Sequence, residues 1–115
     1  MRVVATYEDA ELIVQLMRWG TEMGLQEALG TIFSDGFDRE DGTKVDPDVH
    51  KVLFFGETVG TLVKHNVLDR DLLIDLLYID GIWQQVRARA LHVRSTSGVA
   101  AMYENFEALV SADMR

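Results

Sequence analysis

The sequence predicts an all-α protein, a compact bundle of five or six helices. Three observations carry that expectation. Apolar residues recur at three- and four-residue spacing along nearly the whole chain, proline occurs once, and runs of β-branched residues are short. Each element follows from local chemistry. The first helix is expected to begin after Thr6, which with Asp9 three residues on approximates a capping box. Leu12, Leu16, Trp19 and Met23 then share one stripe. Gly20 predicts a break, with Thr21 capping a second helix that runs to about Phe33 and buries Leu25, Ala28, Leu29 and Ile32. One long helix bent at Gly20 and Gly24 is the alternative.

Residues 34–46 read as a turn-forming, charged loop and are expected to be mobile. Asp46-Pro47-Asp48 is the clearest helix start, because Asp46 can cap and a proline at the first helical position forfeits no hydrogen bond. This helix is expected to reach about His65. Asn66 would then take a left-handed conformation and Val67 would fold back on the last turn. Val49, Val52, Leu53, Phe55, Gly56, Val59, Gly60, Leu62 and Val63 cover so wide a face that the helix should be central.

Asp69 predicts a fourth helix from Arg70 to about Ile79, with Leu72, Leu73, Leu76 and Leu77 inward. Asp80-Gly81 predicts a joint, and Ile82 to Val93 a fifth helix burying Ile82, Val86, Ala90 and Val93. Arg94 to Gly98 reads as a linker before a last helix whose core side is Val99, Met102, Phe106, Leu109 and Val110. The short connections favour antiparallel neighbours.

Composition narrows the function classes. The chain has 115 residues, the size of one domain spanning 1–115. It has no cysteine, which excludes disulfides, thiolate metal sites and cysteine nucleophiles. Residues 1–9 contain no apolar core of signal-peptide length, and no apolar run approaches bilayer thickness, so a cytoplasmic location without membrane contact is expected. With 19 acidic against 11 basic residues and a net charge of −8, the chain is repelled by phosphate backbones, and no nucleic-acid partner is expected.

Val67-Leu68-Asp69-Arg70-Asp71-Leu72-Leu73, then Trp83, then Tyr103-Glu104-Asn105-Phe106-Glu107-Ala108-Leu109 resembles a bacterial family of small helical domains of unknown function, over roughly residues 49–110. The resemblance implies a small helical bundle and brings no activity with it.

Candidate chemistry is sparse. An EF-hand register on the loop fails: with Gly42 as sixth residue, Phe37 and Arg39 fall on ligand positions, and with Gly36, Thr31 and Phe33 do. Glu8 with Glu11, and Glu104 with Glu107, have the Glu-x-x-Glu spacing of MazG-type nucleotide pyrophosphohydrolases, but the accompanying Glu-x-x-Asp is missing. His50, His65 and His92 lack the close spacing of a zinc helix, so no metal or cofactor is expected. Arg87, Arg89, His92 and Arg94 form the one basic cluster, a weak candidate anion patch, and Arg87 lies one turn from Trp83, where stacking is possible. Gly20 with Gly24 and Gly56 with Gly60 allow close helix packing or a ligand slot. Phe54 lies on the polar side of its helix, among Lys51, Glu57, Thr58, Thr61 and His65.

The expectation from sequence is therefore an interaction or binding module without catalysis of its own, self-associating as a homodimer, with Phe54, Trp83 and Arg87 as contact candidates. A Mg²⁺-dependent nucleotide hydrolase and a small-ligand sensor with a pocket beside the glycines are the alternatives.

Overall fold

The helix starts expected after Thr6, Asp46 and Asp69 are present in the computed structural model, which describes residues 4–115; the reading of the amino terminus falls partly on residues 1–3, outside the described residues. Helix α1 spans Tyr7–Met23. The Thr6 hydroxyl accepts from Asp9 N–H at 3.2 Å, and the Asp9 carboxylate accepts from Thr6 N–H at 2.7 Å, a complete capping box. The second Asp9 oxygen accepts from Asp69 N–H at 3.0 Å, so this buried carboxylate also fixes where α4 begins.

Helix α3, Pro47–Lys64, starts with Val49 N–H on Asp46 Oδ1 at 3.0 Å, and α4, Arg70–Leu76, with Leu72 N–H on Asp69 Oδ2 at 2.9 Å. At the end of α3, Asn66 takes a left-handed φ of 60° and Val67 N–H returns to Leu62 O at 2.9 Å. Val67 itself stays exposed; Leu68 is the residue buried under the turn.

Several boundaries differ from expectation. Gly20 is not a break. It lies inside α1, where a Cβ would meet Leu25 Cδ2 at 3.2 Å and Phe55 at 3.6 Å, so it is small to let α2 and α3 approach. The turn falls at Gly24, whose φ of 82° is open to glycine at little cost, and α2 follows as Leu25–Ile32. Thr21 caps nothing; its hydroxyl donates to Met17 O. Helix α4 stops at Leu76, which is exposed, and Tyr78 makes a tight turn in which Ile79 N–H reaches Leu77 O at 2.8 Å.

Helix α5 therefore begins three residues early and runs Ile79–Ser97. The predicted joint at Asp80-Gly81 is helical; Gly81 is there because the Tyr78 ring lies where its Cβ would be. The predicted linker 94–98 is helical up to Ser97, and Gly98 is its left-handed stop. The last helix, α6, is only Glu104–Leu109, followed by a 3₁₀ turn at Ala112–Met114. Val99 is exposed outside it, while Phe106, Leu109 and Val110 are buried as expected.

Among the described residues there is no strand. One apolar cluster joins Ile13 and Leu16 of α1 to Leu25, Ala28 and Ile32 of α2, the buried face of α3, Leu73 of α4, Trp83 and Val86 of α5, and Phe106 and Leu109 of α6. Helix α3 packs against α2, α5 and α6 and is the central rod, as its wide apolar face requires.

Phe37 and Val45 of the 34–46 segment pack against the core, and one buried side chain bonds its backbone. Arg89 of α5 is 3% exposed; its Nε donates to Lys44 O at 2.7 Å, its Nη1 donates to Asp38 O at 2.8 Å, and its guanidinium lies 4.1 Å from the Phe37 ring centroid. Gly42 lies so close to Ala88 O that a Cβ would be 2.7 Å away.

Candidate functional site

Phe54 is 61% exposed, on the outer side of α3. Its ring meets Trp19 of α1 edge-on, with centroids 5.8 Å apart, while Trp19 stacks on the buried Phe55 at 5.5 Å. Consecutive phenylalanines thus both contact one indole, and Phe54 is the one left to solvent. His50, Thr58, Thr61 and His65 share this side of α3 with Phe54 at helical spacing, and Glu57, one turn on, lies at its edge with its carboxylate taken by α6.

The other two contact candidates are not on that surface. Trp83 is completely buried, edge-on to Phe106 at 5.0 Å, and is a core residue rather than a contact residue. Its indole N–H has no acceptor among the described residues. Arg87 does not stack on it; Arg87 Nε donates to the main-chain oxygen of Arg115 at 3.0 Å.

The basic cluster comes apart in the same way. Arg89 holds the loop. Arg94 donates from Nε to Met102 O at 3.0 Å and pairs with Glu107 at 3.1 Å, which ties the carboxyl end of α5 to α6. His92 is half-buried beside Gly42. Three arginines of one helix each serve a different neighbouring segment, so they do not present a shared anion patch.

The glycines accommodate the chain's own groups. Gly56 lies under the Phe106 ring and Gly60 against Asn105 O, both so close that a Cβ would be 2.3 Å away. Gly24 stands by Lys51 Nζ. The ligand-slot reading of Gly56 is thereby filled by α6. What remains inside is an apolar void of about 20 Å³ among Leu25, Phe55, Gly56, Ile82 and Phe106, room for one water and no metabolite. An open groove of about 420 Å³ runs outside Gly60, between Val63, Lys64, Glu104 and Ala108.

The paired acids also diverge. Glu104 faces Lys64 at 4.0 Å, and Glu107 is taken by Arg94. Among the described residues no three His, Asp or Glu side chains gather as metal ligands.

Sequence reasoning missed Glu57. Its Oε1 accepts from the N–H groups of Asn105 and Phe106, each at 3.0 Å, and its Oε2 accepts from Asn105 Nδ2 at 2.8 Å. It lies between Gly56 and Gly60 in spacing and supplies the amino cap that α6 lacks locally, since Tyr103 caps with no side-chain bond. Tyr103 has a left-handed φ of 61°. Burial first, then the Glu57 charge, push its phenol above the ordinary 10.0. In the loop, the hydroxyl and then the N–H of Thr43 bond Asp41 and hold its carboxyl below the ordinary 3.8.

Six helices, with the apolar α3 as central rod and polar side chains tying segments together, define a small all-α domain. The chain belongs to a family described as Domain of unknown function (DUF4760), which matches residues 18–112. No curated protein and no solved structure matches the chain. Among the described residues no helix is long and apolar enough to cross a membrane.

Proposed function

We propose that the chain is a protein interaction module that self-associates, with Phe54 at the seam and no chemistry of its own. The observation that carries this reading is the exposed Phe54 ring held edge-on by Trp19. Two copies meeting there would each remove an aromatic side chain from water, worth roughly 1.5–3 kcal/mol apiece. With Trp83 in the core, the aromatic at the proposed seam is Phe54 with its α1 neighbour Trp19.

Phe54→Asp tests it. The ring makes little of the core, so helical circular dichroism and the unfolding midpoint should stay near the parent values, while the sedimentation mass falls below the parent's at the same concentration. A variant that keeps the parent's mass would remove Phe54 from the seam.

A further inference from the structure

Helix α1 has a second apolar side. Tyr7 is 89% and Val14 58% exposed, and Ala10 and Thr21 are exposed with them, while Met17 is half-buried. These five residues, Tyr7, Ala10, Val14, Met17 and Thr21, fall at alternating three- and four-residue steps, the spacing of the apolar seam of a coiled coil. Val14 is five residues from Trp19, about 140° around the helix, so this seam faces away from Phe54. Most of it lies before residue 18 and therefore outside the family match.

The charges beside the seam are self-complementary. Glu11 and Arg18 follow the seam positions Ala10 and Met17, one heptad apart, on the same edge of α1. Both are exposed, and neither forms an ion pair among the described residues, although Glu22 is only one turn from Arg18. Two antiparallel copies of α1, related by a two-fold axis level with residues 15–16, set Val14 of each chain opposite Met17 of the other and keep each edge opposite its own copy. Glu11 of each chain then faces Arg18 of the other, twice over. A parallel pairing would set this edge against the partner's other edge, which carries Ile13 and Gly20, and leave Glu11 and Arg18 without opposite charges, so the charges favour the antiparallel register.

We infer that the outer side of α1 is an antiparallel helix–helix seam for a second copy of this chain, fixed in register by reciprocal Glu11–Arg18 pairs. The inference takes from the proposed function only that the occupant is another copy; it uses a different surface. With 17 residues, α1 is about 25 Å long, so the seam is at the small end of specific interfaces and its dimer depends on concentration. A chain with both seams in use assembles beyond two copies.

The test is a charge-swap series made in the Phe54→Asp background, where only this seam can join two chains, read by sedimentation equilibrium with circular dichroism as the folding control. Glu11→Arg and Arg18→Glu singly replace attraction by repulsion at two symmetric places and should each weaken dimerisation roughly tenfold. The double variant restores opposite charges and should recover the Phe54→Asp dimer. A fold defect or a general charge effect would not reverse in this way. Single variants that dimerise as well as Phe54→Asp, a double variant no better than the singles, or a Phe54→Asp chain that stays monomeric at millimolar concentration would each overturn the seam. A Phe54→Asp chain that keeps the parent's mass, with the charge swap behaving as expected, would overturn the Phe54 reading alone.

Discussion

Glu57 holds Asn105 by two hydrogen bonds, one from the main-chain N–H at 3.0 Å and one from the side-chain amide at 2.8 Å, across 48 residues of sequence. A third bond, from Phe106 N–H, completes the cap, and the neighbouring Gly56 and Gly60 let α6 lie close enough for the carboxylate to reach. The attachment of α6 is thus built from two kinds of residue on one face of α3: small ones that admit and an acidic one that grips.

Removing the grip should loosen α6. Glu57→Ala leaves two helix N–H groups and an amide without their acceptor and should cost about 1.5–3 kcal/mol in denaturant unfolding. Glu57→Gln keeps one carbonyl oxygen and should lose less. Equal stability of all three proteins would mean that the cap contributes nothing.

Three glycine-to-alanine changes should differ in sign. At Gly56 and Gly60 the new methyl group would sit 2.3 Å from Phe106 or Asn105, so each should destabilise by about 1–3 kcal/mol despite better helix propensity. At Gly30, inside α2 with nothing within 4 Å, the same change should stabilise by up to about 1 kcal/mol. Thermal or urea midpoints decide, and a stabilised Gly60→Ala would contradict the close approach of α6.

Arg89→Met keeps the aliphatic stem but loses both carbonyl bonds and the stacking on Phe37. The expected cost is about 1.5–3 kcal/mol, and the 34–46 segment should become the first site of trypsin cleavage, at Arg39 or Lys44. Cleavage at the parent rate would show that something other than Arg89 holds the loop.

Tyr103 should ionise late. Its folded phenol lies above the ordinary 10.0, first because it is partly buried and then because Glu57 is near. Since folding favours the protonated form, its contribution to stability is intact below about pH 10 and is lost as pH rises through the folded value. Ultraviolet phenolate titration should show one tyrosine lagging the others, and Glu57→Gln should reduce the lag without abolishing it, burial being the larger cause. A Glu57→Gln profile identical to the parent's would exclude the carboxylate as a cause.

Local chemistry made three helix starts legible. Thr6, Asp46 and Asp69 satisfy N–H groups three residues away, and Asn66 ends a helix by its own φ, so a short window of sequence holds the whole cause. The joints were less legible because glycine has two uses. Gly24 and Gly98 turn the chain, whereas Gly20 and Gly81 make room for Leu25, Phe55 and the Tyr78 ring, and nothing beside them in sequence tells one use from the other. The same holds for side chains whose partners are distant. Arg89, Arg94 and Glu57 look like solvated charges from their neighbours alone, yet they bond groups in the 34–46 segment and around α6. Phe54 was legible because an aromatic among polar positions at helical spacing is visible without knowing any partner. Trp83 was misplaced because large aromatic residues serve core and surface equally well.

The two tryptophans sit in opposite surroundings, and that makes them separate optical reporters without any label. Trp83, sealed from water, should emit at short wavelength and resist acrylamide until the bundle melts. Trp19, half in solvent against Phe54, should be quenched readily in the single chain and become shielded when that side is covered. Following both in one titration would separate loss of the fold from loss of the assembly, two events that a mass measurement alone merges.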